Sequence, residues 1–238
     1  MSTEFNKLME YIESIKGQYL EAVWAFRNYQ ALRKLRADNV VGEEEAKRNA
    51  KTMTRFVNFF GPAEKAFLQM SLLNLAKVFD QSDQSLHINF ILNYIGGNKK
   101  KISRDDFKVF NQNREFLDEL YNKYEGIEIS DLISVKERLK NHDLLLKKLK
   151  EYRDQYLAHN DKKKDDIKIT FDEVELLFKL GEEILNLFTA KLNNSSTAYD
   201  HITNRTMADI KNILDFLDRF EPYRRKELND RLDSFGKV

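Results

Sequence analysis

Seven apolar residues near the N-terminus constrain this chain more than any other feature. Leu8, Ile12, Ile15, Tyr19, Ala22, Phe26 and Tyr29 recur in alternating steps of four and three, a spacing that lines one face of a long helix. Such a stripe is stable only when other elements cover it, and the rest of the sequence offers helices for the purpose. Pro occurs twice, at Pro62 and Pro222, and Gly eight times in 238 residues. A β-sandwich of this length would need many more of both, because they supply the backbone angles of tight turns. The expected fold class is all-α, an up-and-down bundle of long helices with shorter accessory helices.

The first helix is expected to stop near Asp38-Asn39, with a turn at Gly42, and a second to run from about Glu43 to Phe60. Gly61-Pro62 marks a boundary, with Pro62 suited to a first helical position. The stretch AEKAFLQMSLLNLAKVFD, ending at Asp80, is apolar on nearly every side and reads as the most buried helix. A short helix over Leu86–Ile95 ends at Gly96-Gly97, and GGNKKKIS is a loop. Ser103 with Asp106 opens a helix to about Tyr124, and EGIEI is a connector with extended character. From Ser130 one long helix runs to His159, carrying Val135, Leu139, His142, Leu145, Leu149, Tyr152 and Tyr156 on one stripe. Thr170 with Glu173 forms a capping box for the next helix. KLNNSSTAYD reads as a linker, followed by two helices, 206–220 and 223–235, parted near Pro222.

Composition removes several function classes. Cysteine is absent, which excludes disulfides, thiolate nucleophiles and Cys-based zinc sites. The N-terminal segment has charges scattered through its apolar positions, and no segment is long and apolar enough to span a bilayer, so the cytoplasm is the expected compartment and no membrane partner is expected. The net charge is +1, so any nucleic-acid contact must rest on local clusters such as Lys147-Lys148-Lys150-Arg153 and Lys162-Lys163-Lys164. Each cluster taken alone also reads as a solvated helix face or loop. No Gly-rich phosphate loop is present, since Gly96-Gly97 lacks a following Lys-Ser/Thr. Asp105-Asp106 and Asp165-Asp166 have no His at metal-ligand spacing. His142, on an apolar stripe, reads as a satisfied core histidine. No cofactor and no metal are expected.

The stretch with chemical potential is YRDQYLAHND, Tyr152 to Asp161. Arg153 and His159 are separated by five residues, and Asp154 follows the arginine directly. The string resembles the ribonuclease motif of HEPN domains (an Arg, four to six residues, a His), and in particular the abortive-infection U-type branch. A second stretch, LLNLAKVFDQSDQSL from Leu72 to Leu86, is similar to that branch's buried helix, with Val78-Phe79-Asp80 in place of its Leu-Phe-Asp turn. The likeness spans roughly Tyr11 to Leu192. It implies a HEPN-like bundle over residues 1–192, with a C-terminal helical extension over 193–238 packed on the bundle or on a second protomer.

On a regular helix Arg153 and His159 lie about 60° to either side of Tyr156 and about 9 Å apart along the axis. One helix therefore does not join them without local unwinding, whereas two copies facing across a dimer axis would. The resemblance implies a homodimeric, metal-independent endoribonuclease yielding a 2′,3′-cyclic phosphate. It would be a toxin or phage-defence effector, with RNA as substrate and an antitoxin or other neutralising protein as a partner. Arg153, Asp154 and His159 would be catalytic: His moves protons near neutral pH, Arg stabilises phosphate charge, and Asp154 orients one of them. Tyr156, Asn160, Lys150, Lys162 and Lys163 would contact substrate, although Tyr156 also fits the core. Two other readings of the same residues stay open. One is a HEPN-like module that binds nucleic acid or a partner without cutting. The other is a structural helical protein in which His159 and Asn160 merely close a helix and Arg153-Asp154 is a solvated pair.

Overall fold

A computed structural model describes residues 3–82, 84–158 and 167–235, except for the side chains of 156–158, 200 and 233–235. Among the described residues the fold is all-α, with no strand. The helices are α1 (Glu4–Lys34), α2 (Asp38–Val41), α3 (Glu43–Arg55), α4 (Val57–Val78), α5 (Ile88–Asn98), α6 (Arg104–Phe110), α7 (Leu117–Asn122), α8 (Ile129–Asn141), α9 (Asp143–Tyr152), α10 (Phe171–Asn193) and α11 (Asp200–Phe235). A 3₁₀ turn, Lys99–Lys101, follows α5, and a π-helical turn, Arg153–Ala158, follows α9. The chain divides into two compact units. One comprises residues 1–23 and 69–199, the other 24–68 and 200–238.

In the first unit the expected stripe of α1 is the core: Leu8, Ile12, Ile15, Tyr19 and Ala22 are buried, and Phe5 extends it. The Tyr19 hydroxyl donates to the Phe178 carbonyl of α10 at 2.6 Å. Capping boxes open α6 at Ser103/Asp106 and α10 at Thr170/Glu173, as their sequences require. Several expected boundaries move. Gly96 and Gly97 lie inside α5, not in a loop. The helix expected to reach Tyr124 stops at Phe110, because the Asn111 side chain turns back to the Phe107 carbonyl and Phe116 takes a left-handed conformation before α7. The helix expected over 130–159 breaks at His142, whose Nδ1 donates to the Arg138 carbonyl at 2.8 Å and ends α8. His142 is half-buried and satisfied. The expected linker is tied down: the Asn186 amide both accepts from the Thr197 N–H (2.8 Å) and donates to its carbonyl (3.0 Å), and Tyr199 is buried. EGIEI forms no strand; Gly126 turns the chain at φ 72° and Ile127 is buried.

In the second unit α3 ends at Arg55 and α4 already begins at Val57, so Pro62 sits inside α4 instead of opening it. The α4 helix is not buried on all sides. Burial is concentrated from Ser71 onward, within the first unit, whereas Gly61, Pro62, Lys65 and Ala66 are exposed. The two helices expected on either side of Pro222 are one helix, α11, with the proline inside it. Ile210 and Leu214 of α11 pack with Ala31, Leu32, Leu35, Met53 and Phe60 as one cluster.

Candidate functional site

The site belongs to the first unit and is built from the ends of two helices. The last turns of α4 are buried through Leu72, Leu75, Ala76 and Val78, and Phe79 just past its end is buried as well. Asp80 follows directly, where the chain leaves the helix and its carboxylate accepts the Gln81 backbone N–H at 2.8 Å. The α9 helix has a polar outer face and buries Leu149, and it passes into the π-helical turn at Arg153. A π turn widens the i→i+4 ladder to i→i+5 and is a frequent companion of functional residues. Over Arg153–Ala158 the backbone is thus a π turn and not the regular helix that the sequence suggests.

Arg153 is the centre of the arrangement. Its Nε donates to Asp154 Oδ1 at 2.7 Å, and its Nη1 lies 3.2 Å from Asp80 Oδ2. The Arg153 and Asp80 side chains are 17% and 15% exposed, against 42% for Asp154, so the Asp80 contact is the sheltered one. The hydrogen bond from Arg153 to Asp154 raises the arginine's already high pKa despite partial burial. Burial pushes Asp80 up, but the Gln81 N–H and the Arg153 charge outweigh it and hold the carboxyl below its ordinary value. A cleft of about 140 Å³ opens beside the trio, lined by Phe79, Asp80, Leu146, Leu149, Lys150 and Arg153.

Of the residues expected to form the site, the structure brings Arg153 and Asp154 together and sets Lys150 on the same cleft. Tyr156 lies in the π turn. His159, Asn160, Lys162 and Lys163 lie outside the described residues. Two further lysines of the basic cluster have internal partners: Lys147 pairs with Asp143 at 2.7 Å and Lys148 with Glu173 at 2.6 Å.

Asp80 is the residue that sequence reasoning did not place here. Its signal was its position at the end of Val78-Phe79-Asp80, in the second stretch that carries the HEPN likeness; the ion pair joins the two stretches. His87, a few residues on, is structural: Nδ1 accepts the Phe90 N–H at 3.1 Å as the N-cap of α5, and Nε2 donates to the Ser82 carbonyl at 2.9 Å.

Among the described residues the chain is a helical protein, with a guanidinium-centred polar cluster where α9 passes into the π turn, and its family is of the HEPN superfamily. Within it, the family model HEPN_AbiU2, described as AbiU2, matches residues 5–216, and the chain belongs to that family. The match extends into α11, beyond the stretches that carry the motif. No curated protein and no solved structure matches the chain.

Proposed function

We propose that this protein is a metal-independent endoribonuclease of the HEPN type, an abortive-infection or toxin effector that acts as a homodimer. Membership of the AbiU2 family supports the reading, and the observation that carries it is Arg153: a partly sheltered guanidinium held by Asp80 and Asp154 at the edge of a cleft. In the proposed reaction the RNA 2′-oxygen attacks the adjacent phosphorus while the P–O5′ bond breaks, giving a 2′,3′-cyclic phosphate and a 5′-hydroxyl. His159 takes the 2′ proton or protonates the leaving oxygen, the partner subunit's copy supplying the other transfer. Arg153 stabilises charge on the non-bridging oxygens as it develops. The more exposed Asp154 is the partner that a phosphate displaces, while Asp80 keeps the guanidinium aimed. Lys150 adds positive charge on the cleft wall, and Tyr156, Asn160, Lys162 and Lys163 are the proposed substrate contacts. The C-terminal extension, residues 193–238, is proposed to pack on the bundle or on the second protomer.

The experiment is cleavage of single-stranded RNA by the purified protein in EDTA. Cleavage that His159→Ala abolishes is the expected result; cleavage that survives this substitution sinks the proposal. One observation favours the second reading, a module that binds RNA or a partner protein without cutting: both groups on the Arg153 guanidinium are carboxylates, which compete with phosphate. Salt-sensitive RNA binding without cleavage would select that reading.

A further inference from the structure

Trp24 is the only tryptophan of the chain. It is 56% exposed and, among the described residues, has no ring or cation partner. Its ring walls a groove of about 350 Å³ between α1 and the first turns of α11, a volume within the range of small-ligand sites, about 300–1,000 Å³. Every residue lining the groove belongs to the second unit. The floor is Ile202 and Thr206, both buried, and the Thr206 hydroxyl is spent on the Ile202 carbonyl at 2.8 Å. On the α1 side, Asn28 Nδ2 donates to the Trp24 carbonyl at 2.8 Å, which fixes that amide against its own helix.

Three polar side chains of the groove are uncommitted. His201, Arg205 and Asp209 are exposed and follow one another at steps of four, which sets them a turn apart along one face of α11. Among the described residues none of the three side chains has a hydrogen-bond or ion-pair partner. Opposite charges four residues apart do pair elsewhere in the chain: Lys147 with Asp143 at 2.7 Å, and Lys211 with Asp215 at 3.3 Å. Arg205 and Asp209 have that spacing and form no ion pair. The groove therefore offers a guanidinium at one point, a carboxylate a turn further on, and a flat aromatic ring beside both.

We propose that this groove binds a guanine nucleotide unit, with the base stacked on Trp24, its N1–H and N2–H donating to Asp209, and its phosphate on Arg205 and His201. Any base has a face that stacks on an aromatic ring, so the edge decides the choice. Guanine alone carries two adjacent N–H donors on its base-pairing edge, and one carboxylate accepts both. Adenine and cytosine set an acceptor nitrogen beside their amino group, and uracil flanks its N–H with two carbonyls, so each turns a lone pair toward Asp209. The guanidinium fork suits phosphate oxygens. A duplex does not fit, because its base edges are closed, and one cation beside one carboxylate has no net pull on a polyanion. A free nucleotide and an unpaired guanosine of a single strand share the required chemistry. The groove is separate from the Arg153 cleft, and the inference does not rest on the ribonuclease reading.

Because Trp24 is the sole tryptophan, a base stacked on it is read directly as quenching of the protein's tryptophan fluorescence. The full-length chain is titrated with GMP, AMP, CMP, UMP and guanosine. It is also titrated with thymidine oligodeoxynucleotides holding one guanine or one adenine, which lack the 2′-hydroxyl and so are not cut by the proposed reaction. The guanine probe should quench saturably and bind about tenfold tighter than its adenine counterpart, or more. Asp209→Asn should bring the two affinities together. Arg205→Ala should weaken GMP by about tenfold or more and leave guanosine unchanged. Saturable quenching by GMP assigns the groove to a free nucleotide, and quenching by the guanine oligomer alone assigns it to a single strand; either supports the guanine site. Should circular dichroism show one variant misfolded, the other decides. Absence of saturable quenching by any probe overturns the proposal, as does equal affinity for guanine and adenine. A guanine preference that survives Asp209→Asn overturns it too.

Discussion

Gly181 lies where α10 passes the Tyr19 ring, and the fit leaves no room for a methyl group. A Cβ at Gly181 would stand 2.6 Å from Tyr19 Cε2 and 3.0 Å from Cδ2. The ring is an unyielding neighbour. It is almost fully buried, its hydroxyl is fixed to the Phe178 carbonyl, and it meets the Tyr199 ring in a T-shaped contact at a centroid distance of 5.0 Å. Overpacking of a rigid site typically costs about 1–3 kcal/mol, so Gly181→Ala should lower the urea midpoint by a corresponding amount. An unchanged midpoint would mean that the ring can move aside. Nothing in the local sequence around Gly181 signals this, because the clash comes from Tyr19 at the other end of the unit. The Tyr19 position itself was legible, since the stripe of α1 names it.

At the scale of single elements, α11 is fastened by charge as well as by its apolar face. Glu221 is buried on α11 beside Arg55 of α3. Hydrogen bonds from Arg224 and Arg225, with the Arg55 charge added, outweigh its desolvation and hold its pKa down to about 2. An unfolded glutamate titrates near ~4.3. The sign follows: the stabilisation is fully present above the unfolded value and is lost as pH falls through the folded one. Denaturant midpoints of the native chain should therefore drop between about pH 5 and pH 2. Glu221→Gln should be less stable at neutral pH and should flatten that drop; a variant with the native pH profile would refute the assignment. Element starts were the most legible part of the fold, since Ser103/Asp106 and Thr170/Glu173 cap their helices through contacts three residues apart. Element ends were not. The stripe through Val135, Leu139 and Leu149 keeps its phase across the break at His142, and Pro222 interrupts the propensity of α11 without ending the helix. At His142 the break goes with the side chain's own hydrogen bond to the Arg138 carbonyl, and the helix runs on through an exposed Pro222; propensity alone signals neither.

At the scale of the whole molecule, each compact unit is assembled from parts far apart in sequence. The second joins residues 24–68 to 200–238, so ending the chain after Tyr199 would strip Ile210 and Leu214 from the cluster that holds Leu32, Leu35 and Met53. Full burial of an aliphatic side chain contributes about 1.5–3 kcal/mol. The truncated protein should melt at lower temperature and bind an apolar dye more strongly. Equal melting temperatures would show that α11 is dispensable to the unit. The same remoteness explains what the sequence hid at the candidate site. YRDQYLAHND was legible as a string, but the Asp80–Arg153 pair is a tertiary contact that no local pattern encodes. The π turn at Arg153–Ala158 has a consequence for how such a string varies. A widened turn is how a helix takes up one surplus residue while its hydrogen-bonded ladder continues on either side. Loss of a residue there would restore regular α geometry. Removing one residue within 153–158 should therefore cost the helix less than removing one from the regular turns of α9, a difference that the melting temperatures of two single-residue deletions would read.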